Sequence, residues 1–209
     1  MKLYSYYMSS CSWRVRTVLN YKKVKYEYIS IDIKKDEDKF SKEYTNISKT
    51  NKVPTLVLPN GLPIGESMAI CEYLEEKYDI NPLYPKDLEY RARIRNICEI
   101  VNAGTQPLQN IFVAKKTSDP KAWTKHWNEY GLKILERELK KTSGKYSFGD
   151  TITMADVFLI PQIYNGYRFG VEMNEFTTLL KIYNNVKVIE EFVKANPQNQ
   201  PDCPDNKNI

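Results

Sequence analysis

The sequence predicts a small α/β domain followed by an all-helical domain, and three observations support this fold class. Short β-prone runs alternate with helical patterns through roughly the first 80 residues. Two of these runs are joined at Pro59-Asn60-Gly61, a strong hairpin signal. After the Pro-containing segment INPLYPKD, strand patterns stop and long helical patterns dominate. We therefore expect an α/β domain at residues 1–82 and a helical domain at residues 87–209.

The first four elements read as strand, helix, strand, helix. KLYSYY is a β-prone run, and the helical pattern that follows it places four apolar side chains on one face, those of Cys11, Val15, Val18 and Leu19. Residues Tyr26–Ile31 form a second strand pattern, and the charged stretch Asp36–Tyr44 predicts a short helix.

Two short strands in VPTLVLPNGLPI and a further helix complete the first domain. Ser67 is predicted as the N-cap of that helix. The resulting order β-α-β-α-β-β-α, with an antiparallel hairpin at one edge, matches a thioredoxin-like sheet with helices on both faces.

The second half predicts helices. Residues Glu89–Lys116 have a helical pattern, and GDTITMADVFLIP contains Thr153 as an N-cap with Asp156 as the acid of a capping box. The final stretch ANPQNQPDCPDNKN is rich in Pro and Asn, so we expect an extended surface tail.

Composition excludes several classes of protein. The chain has 209 residues, 42% of them hydrophobic, and a net charge of +5 without a basic cluster, so nucleic acid is not expected as a partner. No run is long enough to span a membrane or to form a secretory signal, so we expect a cytoplasmic protein. The four cysteines are far apart and His126 is the only histidine, which argues against a metal site.

The best candidate for chemistry is the junction of the first strand and the first helix. Ser9, Ser10 and Cys11 lie where free backbone N–H groups and the helix dipole favour an anion. Hydroxyl donors there can lower the pKa of a bound thiol. The residues alone leave open a plain capping sequence, or a Cys11 that is simply a small buried side chain.

Two further segments suggest peptide binding. Val53-Pro54 stands where thioredoxin-like domains have a cis proline, which leaves the Val53 backbone free to pair with a peptide. Glu66-Ser67 opens a helix, where free N–H groups can hold a carboxylate and Glu66 can attract an ammonium group.

The chain resembles the zeta-class glutathione transferases in the order and the residues of five segments, which are SSCSWRVR, VPTL, GES, QPLQN and GDTITMAD. The resemblance covers nearly the whole chain and implies glutathione as cofactor, a homodimer, and a helical domain of the glutathione-transferase type. It implies cis–trans isomerisation of maleylacetoacetate, a dicarboxylate, to fumarylacetoacetate in tyrosine and phenylalanine breakdown.

The resemblance also assigns roles to residues. The implied catalytic residues are Ser9, Ser10 and Cys11, and the implied glutathione-binding residues are those three with Val53, Pro54, Glu66, Ser67, Gln106 and Asn110. Arg14 and Arg168 are expected to bind substrate carboxylates, although Arg168 can equally be an ordinary ion pair. Three alternatives remain open: conjugation of glutathione to haloacids or other small electrophiles, a thiol reductase that uses Cys11, and a non-catalytic docking module.

Overall fold

The structure, a computed structural model, describes residues 1–204 and forms two compact units. The first unit combines Met1–Asn81 with residues 190–204, and the second is Pro82–Ile189. Within the described residues, the strands are β1 (Lys2–Ser5), β2 (Glu27–Ser30), β3 (Thr55–Val57) and β4 (Pro63–Ile64). The helices there are α1 (Ser10–Tyr21), α2 (Asp36–Lys39), α3 (Lys42–Ile47), α4 (Ser67–Lys77), α5 (Leu88–Asn102), α6 (Gln106–Gln109), α7 (Ile111–Ala114), α8 (Pro120–Leu139), α9 (Met154–Arg168), α10 (Thr177–Val186) and α11 (Glu190–Ala195).

The sheet of the first unit has the strand order β2-β1-β3-β4. β1 runs parallel to β2 and antiparallel to β3, and β3 and β4 form the predicted hairpin. Leu3 on β1 is fully buried and lies opposite Tyr28 on one side and Leu56 on the other. This arrangement confirms the predicted thioredoxin-like domain.

α1 is buried along most of its length, from Ser12 to Leu19. It contacts α4 and also α11, which belongs to the C-terminal segment, defined here as residues 190–204. A helix with polar residues such as Arg16 and Thr17 on a second face is buried all round only when two partners cover it.

The expectation of an extended surface tail from Ala195 onward is wrong for residues 195–204. Ala195, Gln200 and Cys203 are buried, and Pro197–Asn199 forms a short 3₁₀ turn. The segment packs with the first unit, whereas the predicted boundary assigned residues 87–209 to the helical domain. The rest of the predicted tail, from residue 205, lies outside the described residues.

The predicted helix Asp36–Tyr44 is two short helices, α2 and α3. Ser41 lies between them, and its side chain accepts a hydrogen bond from the Tyr44 N–H at 3.2 Å. This new N-cap starts a second helix where the charge pattern had suggested a continuous one.

The second unit is helical, as predicted, although the pattern at Glu89–Lys116 is divided among α5, α6 and α7. Thr153 is the N-cap of α9, and the Asp156 carboxylate accepts hydrogen bonds from the Thr153 N–H at 2.8 Å and the Ser147 N–H at 2.9 Å. Among residues 1–204, no helix combines the length and the apolar character needed to cross a membrane.

Candidate active site

Ser9 is the N-cap of α1, with φ −73° and ψ 115°. Its Oγ accepts a hydrogen bond from the Ser12 N–H at 3.2 Å, and its own N–H donates to the Tyr6 carbonyl at 3.0 Å. A capping hydroxyl uses its oxygen as the acceptor, so the hydroxyl hydrogen remains available to donate to a ligand. Ser9 is partly exposed, so a ligand can reach it.

Ser10 and Cys11 form the first two positions of α1, and both are partly exposed. Within the described chain, neither of their backbone N–H groups has a hydrogen-bond partner. Two free amides at the positive end of a 12-residue helix form a favourable environment for an anion.

Cys11 differs from the other cysteines in its exposure. Cys71, Cys98 and Cys203 are buried and form no disulfide within the described chain, and burial raises the pKa of the Cys71 thiol. Cys11 is a free and partly exposed thiol, so it does not belong to the core.

The peptide bond between Val53 and Pro54 is cis, as predicted from its place before β3. Pro54 is buried, whereas Val53 is partly exposed. No hydrogen bond involves the Val53 backbone within residues 1–204. Its N–H and C=O are therefore available to pair with an extended peptide.

At the start of α4, the prediction that Ser67 is the N-cap is wrong. Glu66 occupies that position with φ 61°, and Ser67 is the first helical residue. The Ser67 Oγ accepts a hydrogen bond from the Arg14 Nη1 at 3.1 Å instead of capping the helix. A non-glycine residue at positive φ costs about 1–3 kcal/mol, and such residues are often found at ligand sites.

Arg14 is fully buried and joins two of the predicted site segments, α1 and the start of α4. The prediction that it binds a substrate carboxylate stays a prediction. The contact with Ser67 indicates a different task, which is to hold the Ser67 hydroxyl beside the free N–H groups at the start of α4.

The remaining predicted site residues belong to the second unit. Gln106 is the first residue of α6 and is half-buried. Asn110 is exposed, and its Oδ1 accepts a hydrogen bond from the Phe112 N–H at 2.9 Å, so it caps α7. Arg168, the last residue of α9, is exposed and has no carboxylate partner in the part of the chain that is described.

Sequence reasoning missed Arg16 and Asp202. Arg16 is fully buried and donates hydrogen bonds to the carbonyls of Tyr6 and Tyr7, while Asp202 accepts from the Tyr7 N–H at 2.9 Å. Each residue has a hydrogen-bond partner far away in the sequence, and the Pro/Asn-rich composition around Asp202 indicated a solvated tail. No local pattern pointed to either residue.

Comparisons with known proteins identify the family. The models for the glutathione S-transferase N-terminal and C-terminal domains match residues 8–77 and 106–198. Maleylacetoacetate isomerase of Dictyostelium discoideum is 42% identical over 96% of this chain and 95% of its own length. The zeta-class glutathione S-transferase of Euphorbia esula is 39% identical over 97% and 92%.

A solved structure agrees with these relatives. It is maleylacetoacetate isomerase from Anaeromyxobacter dehalogenans with dicarboxyethyl glutathione and citrate in its active site. It superposes with a TM-score of 0.87 at 36% identity and covers 97% of each chain. The chain therefore belongs to the glutathione S-transferase family, in the zeta class that includes the maleylacetoacetate isomerases.

Proposed function

We propose that this protein is a glutathione-dependent isomerase that converts maleylacetoacetate to fumarylacetoacetate. The strongest support is the start of α1, where the Ser9 hydroxyl and the free N–H groups of Ser10 and Cys11 lie at the same end of a helix. Relatives of nearly the same length and about 40% identity carry this activity in their names. A cytoplasmic role in tyrosine and phenylalanine breakdown is part of the same proposal.

Three features of the first unit support glutathione as the ligand. The unpaired Val53 backbone suits the extended peptide, and the free N–H groups at the start of α4 suit the γ-glutamyl carboxylate. The exposed Glu66 suits the ammonium group of the same end. Gln106 and Asn110 are proposed to contact glutathione from the helical unit.

When bound, glutathione supplies a thiolate that adds reversibly to the conjugated double bond, so that this bond becomes single and can rotate before the thiolate leaves. The task of Ser9 is to donate its hydroxyl hydrogen to the sulfur and keep it ionised at neutral pH. The amides of Ser10 and Cys11 add a favourable potential at the same place. Because these groups are already oriented by the helix, they stabilise the charge without reorganisation.

Arg168 is the better supported candidate for binding a substrate carboxylate. Its side chain is exposed, and its guanidinium lies 5.0 Å from the Phe169 ring. A guanidinium grips a carboxylate through two parallel hydrogen bonds. Arg168→Lys keeps the charge but loses this geometry, so we expect a higher KM for the substrate with kcat less affected.

We also propose that the protein is a homodimer. Large apolar side chains are exposed on the helical unit, among them Leu88, Phe112 and Val188 at 78%, 71% and 72%. Light scattering should give about twice the chain mass of 24.5 kDa. A mass equal to one chain at assay concentration would contradict the proposal.

The decisive experiment compares Ser9→Ala with Ser41→Ala. Both serines are N-caps whose Oγ accepts one backbone N–H at 3.2 Å, so both substitutions remove the same kind of structural bond. We expect Ser9→Ala to lower kcat by roughly 100-fold or more, as the loss of one donor to a developing anion does, with glutathione still bound in calorimetry. Ser41→Ala should leave kcat close to wild type.

Equal activities of the two variants would remove Ser9 from the mechanism. Cys11→Ser tests the reductase alternative, since a disulfide exchanger needs that thiol, whereas the proposed isomerase uses the backbone N–H of Cys11, which the substitution keeps. Absence of any glutathione binding by the wild-type protein would refute the proposed function as a whole.

A further inference from the structure

The loop that presents Ser9, residues Tyr6–Met8, joins β1 to α1. The Ser9 N–H donates to the Tyr6 carbonyl at 3.0 Å, so the backbone of this loop sets where the Ser9 hydroxyl lies. The groups that hold the loop therefore determine the geometry of the proposed thiolate site.

Arg16 donates hydrogen bonds to the carbonyl groups of the loop. The Arg16 Nη2 donates to the Tyr7 carbonyl at 3.0 Å, and the Arg16 Nη1 donates to the Tyr6 carbonyl at 3.3 Å and to the Ser5 hydroxyl at 3.2 Å. Its Nε donates to the Ala195 carbonyl at 3.0 Å, in the C-terminal segment. Burial lowers the pKa of Arg16 to about 10, which leaves the guanidinium charged at neutral pH.

Asp202 holds the same loop by its amide. Its Oδ2 accepts from the Tyr7 N–H at 2.9 Å and from the Ser30 hydroxyl at 3.1 Å. Its Oδ1 accepts from the Tyr28 hydroxyl at 2.6 Å. The N–H of Tyr7 is therefore fixed by Asp202 and its C=O by Arg16, two residues before Ser9.

The hydrogen bonds of Arg16 indicate a role in fixing the loop. A fully buried cation is usually paired with an anion, but the side-chain hydrogen bonds of Arg16 go to neutral oxygens. Two of these oxygens are carbonyls of the loop. Asp202 belongs to the C-terminal segment, and Arg16 donates to the Ala195 carbonyl of the same segment. The loop is therefore held by residues from the other end of the described chain. A helix start that leaves its own amides open to a ligand gains rigidity from such external contacts.

We propose that Arg16 and Asp202 are positioning residues that clamp the loop Tyr6–Met8 from its carbonyl and amide sides and so hold the Ser9 hydroxyl in place for the bound thiolate. The C-terminal segment is then part of the catalytic apparatus. This inference rests on the proposed function.

The test compares Asp202→Ala with Tyr28→Phe and Asp202→Asn. Tyr28→Phe also removes a hydrogen bond from the Asp202 carboxylate but leaves the Tyr7 N–H bonded, so it is the matched structural control. Asp202→Asn keeps one oxygen that can accept from the Tyr7 N–H and serves as the conservative rescue. For each variant, kcat, the KM for glutathione and the pH dependence of bound thiolate absorbance are measured.

We expect Asp202→Ala to lower kcat by about 10- to 100-fold, the cost of misplacing a catalytic group by a fraction of an ångström to an ångström. Its thiolate titration should shift to higher pH, while the KM for glutathione changes little. Tyr28→Phe should leave the titration where it is in wild type, and Asp202→Asn should recover most of the activity.

A thiolate titration in Asp202→Ala that matches Tyr28→Phe would overturn the clamp. If Asp202→Ala does not fold, Asp202→Ser replaces it. The serine side chain stays polar but is too short to reach the Tyr7 N–H, so this variant also removes the bond under test. A wild-type protein that fails to lower the thiol pKa of glutathione would refute the proposed function itself, which separates the two failures.

Discussion

Asp156 offers a sharp test of how the helical unit is stabilised. Its carboxylate is fully buried and accepts from the Ser147 N–H, the Thr153 N–H and the Thr153 hydroxyl at 2.9, 2.8 and 3.0 Å. Asp156→Ala leaves two buried backbone amides without an acceptor, and each such loss costs about 1–3 kcal/mol. We expect the free energy of unfolding to fall by about 2–6 kcal/mol.

Urea unfolding followed by tryptophan fluorescence measures this loss, because Trp123 and Trp127 both lie on α8 in the helical unit. With a slope of about 2–3 kcal/mol per molar, the midpoint should move down by roughly 0.7–3 M. The matched control is Asp119→Ala. Asp119 also accepts from two backbone amides, those of Lys121 and Ala122, both at 3.0 Å, but it is exposed.

Since water can replace the lost acceptor at Asp119, its substitution should cost only about 0.5–2 kcal/mol. Equal midpoints for the two variants would refute the reasoning that burial of the amides sets the cost.

A pH series with Asp156→Asn extends the same test. Burial raises the pKa of the Asp156 carboxyl above its usual value of 3.8, although hydrogen bonds from Ser147 and Thr153 oppose the shift. The folded protein therefore takes up a proton here at a higher pH than the unfolded chain does. The stability that wild type gains from this carboxyl is fully present below pH 3.8 and is lost as pH rises through the folded pKa. The advantage of wild type over Asp156→Asn should thus shrink from pH 4 to pH 7; a growing advantage would contradict the direction of the shift.

Two further substitutions test packing. Lys22→Met removes a buried cation whose Nζ lies 2.6 Å from the Glu75 carboxylate and 2.9 Å from the Tyr78 carbonyl. We therefore expect the free energy of unfolding in urea to fall by about 3–5 kcal/mol. The control is Lys133→Met, at the exposed pair with Glu129, which should change this free energy by little more than experimental error. Gly131→Ala places a methyl group 2.2 Å from the Thr105 Oγ1. We expect this overpacking to lower the free energy of unfolding by about 1–3 kcal/mol, more than the substitution gains in helix propensity. Adding Thr105→Ala to the same chain should restore part of the lost stability in thermal unfolding.

The parts of the fold that the sequence predicted correctly depend on local chemistry. The hairpin between β3 and β4 follows from Asn60-Gly61, and the start of α9 follows from Thr153 and Asp156. The cis bond before Pro54 follows from its place ahead of a strand in a thioredoxin-like order. In each case the decisive residues lie within a few positions of one another.

The errors arose where a distant partner competes for the same atom. Ser67 has the side chain of an N-cap, but Arg14, 53 positions earlier, takes its hydroxyl oxygen, and Glu66 takes the cap position. The tail composition suggested solvent, but Asp202 finds the Tyr7 amide 195 positions away. Such pairings are invisible to propensity and periodicity, since those signals describe only the neighbours along the chain.

The same distinction explains how the candidate site is built. An anion site at a helix start requires amides that the protein itself leaves unpaired, as Ser10 and Cys11 do. A short-range cap such as the Ser9 hydroxyl can create that site, and sequence reasoning finds it. Satisfying those amides internally would make the start of α1 more rigid but would abolish binding. The rigidity must therefore come from elsewhere in the chain, and Arg16 and Asp202 supply it through backbone groups that the ligand does not need.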